Sequence, residues 1–257
     1  MSGLAEVMAL SQNILWLHAV VFLRVGPIMS LMPGFGEHSV PVRIKLVLAL
    51  MFTVIVAPAV APEIGQLPET AAEFSWLAIT ETAVGLAIGI GLRLFLMALQ
   101  TAGSMAAQAT SLSQILGSAG MEPLPAMGHL LVVGGLALAM ILDLHVHVAA
   151  MVIATYGLFA VGVLPEAGAL SQWGVAQVAG AFALAFSLAA PYDLVSLLYN
   201  LTLLIINRGM PLMLDVIVFA QVLSAGGLFL LFLLAPAVLS LWMSALEGFV
   251  ANPFGGR

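Results

Sequence analysis

No cysteine occurs anywhere in the 257 residues. A disulfide, a thiolate metal site and a cysteine nucleophile are therefore excluded, and the redox compartment leaves no mark. Charge is almost as scarce. Six Lys+Arg and twelve Asp+Glu make up 7% of the chain, where a soluble domain carries about a quarter. Six scattered bases form no stripe able to neutralise phosphates, so nucleic acid is not an expected partner. The chain also lacks a phosphate-cradling G-x-x-x-x-G-K-[ST] loop and an H-E-x-x-H helix. It shows no internal repeat, no low-complexity tail and no linker marking a second domain. The opening "MSGLAEVMALSQNILWLHAV" has no basic segment before its apolar run, and reads as the start of a mature protein rather than a cleaved signal. With no catalytic constellation and no cofactor loop, the expectation is a protein that is not an enzyme and binds no cofactor.

What fills the space is apolar. Hydrophobic residues make up 63% of the chain, more than a soluble core can hide, so lipid or other apolar subunits must cover the remainder. Six apolar stretches run roughly over 14–32, 44–61, 74–99, 129–163, 175–206 and 212–250. The first three are near the spanning length of about 17–25 residues, and the last three are longer. Pro191, Pro236 and the pair Gly26 and Pro27 interrupt three of them, and proline removes a helix hydrogen bond and bends the backbone. These features predict an all-α integral membrane protein of about six long, kinked helices. Arg43, Lys45, Arg93 and Arg208 agree on one side of the membrane, taken as cytoplasmic. The acidic "PEIGQLPETAAE" segment and both termini then fall outside.

Ionisable residues within apolar stretches point toward function, because each costs about 2.5–3.5 kcal/mol at a helix centre. They are Glu81, Arg93, Asp143, His145, His147, Asp193 and Asp215. In "LDLHVHV" at 142–148, helical spacing puts Asp143 and His147 on one face and His145 elsewhere. Two ligands are too few for a closed metal site, and hydrogen bonds between subunits or a water-facing side explain the cluster as well. Asp193 follows Pro191 and is placed to cap a helix restarting there. Arg93 can snorkel to the interface. Glu81 shares a face with Gly85 and Gly89 in "ETAVGLAIGIGLR", where glycines four apart let another helix approach closely. A secondary transporter using Asp143, His145, His147 and Asp193 as ion ligands is an alternative reading, and the lack of an internal repeat argues against it.

The segment "QTAGSMAAQATSLSQILGSAGMEPLP" at 100–125 is polar yet carries one acid, Glu122, and no base. Gln100, Ser104, Gln108 and Ser111 fall on one helical face, and Gly103 with Ala107 makes a small-residue pair on the adjacent face. The glycines at 117 and 120 and prolines at 123 and 125 then end the helix. Pattern alone leaves two readings open: an ordinary interhelical loop, or a mobile segment beside an aqueous path.

Four stretches in order resemble the R-subunit family of the flagellar and virulence type III export gate (FliR and its injectisome relatives). They are "PVRIKLVLALMFTVIVAP" at 41–58, "GLAIGIGLRLFLMALQTAGSMAAQATSLSQI" at 85–115, "FSLAAPYDLVSLLYNLTLLIINRGMP" at 186–211, and "EPLP" at 122–125 with the run that follows. The resemblance implies kinked helical hairpins in an assembly with P-type and Q-type gate subunits, in contact with platform subunits of the export apparatus. It further implies a place in the bacterial inner membrane at the flagellar basal body, and unfolded secreted proteins in transit. It divides the chain near residue 175, with 1–174 P-like and 175–257 Q-like. It assigns a pore-closing plug to residues 111–125, with Ser111, Leu112, Gln114, Ile115, Leu116, Gly117, Gly120, Met121, Glu122 and Pro123 as candidates. It also implies that the hairpins need not all cross lipid.

The cysteine-free background makes the topology directly testable. Single cysteines introduced at Ser39, Gln66 and Gln172 should react with an impermeant thiol reagent from opposite sides, Ser39 from the cytoplasm and the other two from outside. Labelling of all three from one side contradicts the assignment.

Overall fold

The computed structural model describes residues 2–65, 68, 70–110, 126–207 and 215–255. They form seven α-helices and, among the described residues, no strand. The helices are α1 (Ser2–Leu31), α2 (Val42–Val60), α3 (Ala71–Thr110), α4 (Ala126–Ile141), α5 (Leu144–Leu158), α6 (Ala167–Asn207) and α7 (Asp215–Ala251). Five contain segments long and apolar enough to cross a membrane: Leu10–Leu31, Val42–Val60, Ala71–Ala107, Ala167–Leu198 and Phe229–Ala251. A sixth arises if the α4–α5 pair, bent by 69°, counts as one span. The architecture is that of an all-helical membrane protein, and the six apolar stretches correspond to α1, α2, α3, the α4–α5 pair, α6 and α7.

The bend corrects the helical reading of "LDLHVHV". Asp143 adopts φ 54 and ψ 37, in the left-handed region, the one non-glycine residue with positive φ among those described. Its carbonyl accepts the Val146 and His147 N–H groups at 2.9 and 3.2 Å, which starts α5. Asp143 therefore stands at the N-cap, outside the helix that carries His147, and the two do not share a helical face. Aspartate is among the few residues that enter this conformation at tolerable cost, because its short polar side chain can bond locally.

The prolines behave differently. α1 runs through Pro27, α2 through Pro58, α6 through Pro191 and α7 through Pro236. Asp193 thus lies inside α6 and caps no restarting helix, and its carbonyl accepts the Ser196 hydroxyl at 2.9 Å. Each lost N–H leaves one carbonyl to be satisfied from outside the ladder, which a long helix tolerates when a neighbour supplies a donor.

The chain packs as two compact units that interleave along the sequence. The first comprises Met1–Leu94, Met140–Gln177 and Glu247–Arg257. Here α1 and α3 meet at glycine: a Cβ on Gly85 would collide with the Arg24 carbonyl oxygen, and one on Gly89 would lie 3.1 Å from the Pro27 carbonyl oxygen. Val20, Val21 and Ile28 of α1, Met32 just after it, and Ile88 and Leu92 of α3 are buried. α2 packs on α1 and α5 and buries Ala49, Thr53, Val56, Ala57 and Val60. Phe254 stacks against Phe159 and Trp173, and the Trp173 indole donates to the Pro253 carbonyl at 2.8 Å. The second unit comprises Phe95–Ala139 and Val178–Leu246. Its buried residues include Leu96, Leu99, Leu131, Tyr192, Trp242 and Leu246.

Asp143→Gly should leave thermal stability in detergent nearly unchanged, since glycine adopts positive φ freely. Asp143→Val should lower stability by about 1–2 kcal/mol, the cost of a branched residue held left-handed. Equal effects of the two substitutions would contradict the bend.

Candidate functional site

The second half of α3 carries the polar segment singled out in the sequence. From 95 to 107 it buries Phe95, Leu96, Ala98, Leu99, Ala102, Ala106 and Ala107, and Gly103 is buried with them. Gly103 faces Gly128 of α4 so closely that a Cβ on Gly103 would overlap the Gly128 Cα. The approach needs glycine at 103, whereas a Cβ on Gly128 would lie 3.5 Å from Gly103, an ordinary contact. The two helices that bracket residues 111–125 therefore touch, backbone to backbone, at their near ends. A second glycine, Gly135, lets Leu99 and Trp242 pack against α4, and the buried Trp242 indole donates to the Phe95 carbonyl at 2.8 Å. Gln100 and Ser104 are half-buried, and the Ser104 hydroxyl donates to the Gln100 carbonyl at 2.7 Å. One member of the polar stripe is thus satisfied within its own helix, as serine in an apolar helix commonly is. The Gln108 side chain and all the plug candidates from Ser111 to Pro123 lie outside the described residues.

Separately, the first unit encloses an ion pair. The Arg24 Nε donates to Glu81 Oε2 at 2.7 Å, with both side chains essentially inaccessible. The surroundings account for such a pair in so apolar a chain. Arg24 Nη2 donates to the Phe159 carbonyl at 3.1 Å and Nη1 to Thr155 Oγ1 at 3.4 Å. Phe159 caps the C-terminus of α5, where carbonyls lack helical donors and a cation is favoured by the helix dipole. The guanidinium also lies 3.8 Å from the centre of the Tyr156 ring, an attractive cation–π geometry. Glu81 Oε1 accepts the Gly162 N–H at 3.0 Å, and the Gly162 carbonyl accepts the Trp76 indole N–H at 3.0 Å. Gly162 has φ +80, so the turn that delivers its N–H needs glycine. One arginine and one glutamate thereby tie α1, α3, the end of α5 and the turn after it.

A second, half-buried pair joins Arg93 Nη1 to Glu37 Oε1 at 2.7 Å. Nearby in sequence, Lys45 Nζ donates to the Gly36 carbonyl at 2.8 Å. Arg93 is therefore anchored to the α1–α2 turn rather than reaching freely for the interface.

Several expectations resolve on this geometry. Gly85, Gly89 and Gly103 are close-contact positions. Glu81, expected to serve helix packing, also carries a buried charge paired to Arg24. Arg24 went unrecognised, although it is the single base in the first apolar stretch. A lone cation in one stretch and a lone carboxylate in another is the signal that could have joined them. The proposed transporter ligands do not assemble. Asp143 and His147 are exposed, and His145 is half-buried beside the Phe35 ring at 6.5 Å. Among the described residues no three metal-ligating side chains converge.

The family described as bacterial export proteins, family 1, matches residues 15–249. A flagellar biosynthetic protein FliR from Caulobacter vibrioides is 35% identical over 195 residues, covering 75% of this chain and 78% of the relative. A flagellar biosynthetic protein FliR from Escherichia coli is 28% identical over 211 residues, covering 79% and 78%.

Removing one partner of a buried pair strands the other charge. Arg24→Ala should lower stability by about 3–5 kcal/mol, read as loss of membrane abundance and of thermal stability in detergent. Arg24→Lys should recover part of this. The exchange Arg24→Glu with Glu81→Arg should also fall short, because the Phe159 carbonyl and Gly162 N–H then face the wrong groups. Wild-type behaviour of Arg24→Ala would show that the network contributes nothing.

Proposed function

Because the chain belongs to the family of bacterial export proteins, family 1, matched over residues 15–249, we propose that it serves flagellar assembly as a subunit of the type III export gate. Its task is to help form, and to help close, the passage through which unfolded substrates leave the cell. The family match over nearly the whole chain is the observation that carries this reading. Both relatives are named flagellar biosynthetic proteins, which favours the flagellar system over a virulence system. The role needs no catalytic group and no cofactor.

Two features of the fold support a place in a larger assembly. No residue of 167–184 in α6 is fully buried, Trp173 being half-buried against Phe254, and Gly174 and Gly180 meet nothing within 4 Å. Ala176 with Gly180 and Ala179 with Ala183 are small-residue pairs four apart, the pattern by which helices in membranes approach one another. This surface suits P-type and Q-type subunits, with residues 1–174 taking the P-like position and 175–257 the Q-like one. The second feature is the contact of Gly103 with Gly128, which anchors both roots of residues 111–125 at one point. A segment tethered at both ends can obstruct a passage and swing aside without being lost into it. We assign the plug to this segment, and the complex to the bacterial inner membrane at the basal body, in contact with the platform of the export apparatus.

Deleting residues 117–120 should loosen the closed gate. The expected result is ion leakage across the membrane of cells carrying the assembled complex, with export retained or only reduced. Unchanged conductance together with unchanged export would remove the plug role.

A further inference from the structure

The turn after α5 is gripped from two sides. Phe159 leaves the helix in an extended conformation, φ -122 and ψ 102, so its carbonyl and its ring reach different neighbours. The carbonyl accepts Arg24 Nη2 at 3.1 Å. The ring meets Phe254 edge-on, with centroids 4.7 Å apart. Three residues further, Gly162 gives its N–H to Glu81 and accepts the Trp76 indole at its carbonyl. The charged pair is inaccessible, whereas Phe159, Gly162 and Phe254 are half-buried. Arg24 and Glu81 thus lie under a turn whose own residues reach the surface, and Phe254 rests on that turn.

Phe254 is held by the segment that carries it. α7 ends at Ala251, and Pro253 cannot continue it, which lets the chain turn Phe254 onto Phe159. The Gly255 N–H closes this turn on the Asn252 carbonyl at 3.3 Å. Pro253 is buried, and its carbonyl accepts the Trp173 indole N–H at 2.8 Å. The Trp173 ring lies 5.1 Å from that of Phe254, so Phe254 has an aromatic partner on either side. Just upstream, Phe249 packs its ring on α3 at Gly91, where a Cβ would overlap it. Glu247–Arg257 belongs to the first unit, yet the second unit's Val178–Leu246 separates it in sequence from the rest. The ion pair is therefore synthesised well before the residues that lie over it.

We propose that residues 252–255 form a clasp, which closes over the turn after α5 and keeps water from the Arg24–Glu81 pair. Phe254 covers the turn, and Trp173 holds it shut. Two ring contacts and one hydrogen bond between half-buried residues make the closure, so it opens locally at a cost well below that of global unfolding. The pair beneath has no such freedom, because separating it strands two buried charges. Opening of the clasp is then the step that admits water to the centre of the first unit, and its closing is the step that completes that unit.

Amide hydrogen exchange at Gly162 reads the clasp directly, because that N–H is bonded to Glu81 beneath it. The measurement is made by mass spectrometry on the full chain in its membrane complex. Phe254→Ala should speed exchange at Gly162 about tenfold, the factor that two aromatic contacts represent. Trp173→Phe keeps a ring but loses the bond to Pro253, and should speed exchange about fivefold. Amides of the second unit, such as those of 185–189, should exchange as in the wild type. An unchanged rate at Gly162 in both variants overturns the proposal. Equal acceleration in both units overturns it as well, since Phe254 would then be ordinary packing. Trp173→Phe decides alone should Phe254→Ala fail to accumulate.

Discussion

Helices as apolar as their surroundings gain little by hiding apolar surface against one another, so close backbone approach and polar groups with no other partner must hold them together. Both devices are present here. Gly85 and Gly89 bring α3 against the backbone of α1, and Gly103 brings it against Gly128 of α4. Arg24 and Glu81 supply the polar tie in the first unit, where neither charge has access to water. In lipid each would be costly by itself. Paired, they also satisfy the end of α5 through Phe159 and the following turn through Gly162. The ion pair thus fixes where α5 ends, while the left-handed Asp143 fixes where it begins.

This division of labour bears on function. The polar network is concentrated in the first unit, whereas the helical residues Gly103 and Gly128, on either side of residues 111–125, meet in the second.

Much of the helical layout was legible because long apolar runs leave few alternatives. Gly85, Gly89 and Gly103 were legible as contact points because spacing of four puts small residues in register along one face. The break at Asp143 was not legible. No glycine or proline marks it, and a residue that tolerates the left-handed region looks like any other aspartate in sequence. Pro191 misled in the opposite direction: α6 continues through it, so Asp193 lost its expected capping role. Arg24 was missed because its partner is 57 positions away, a separation on which periodicity is silent. The FliR-like stretches supplied the gate function, which no local pattern contains, and the family match over residues 15–249 upholds that identification.

As one part of a multisubunit export gate, this chain should leave the membrane in company. Purification through a tag on this chain, after extraction in mild detergent, tests it most directly by the mass and composition of the particle obtained. A stable complex with small, all-helical membrane subunits in fixed proportion is the result the account requires. A well-behaved, folded monomer with no companion subunit would contradict it.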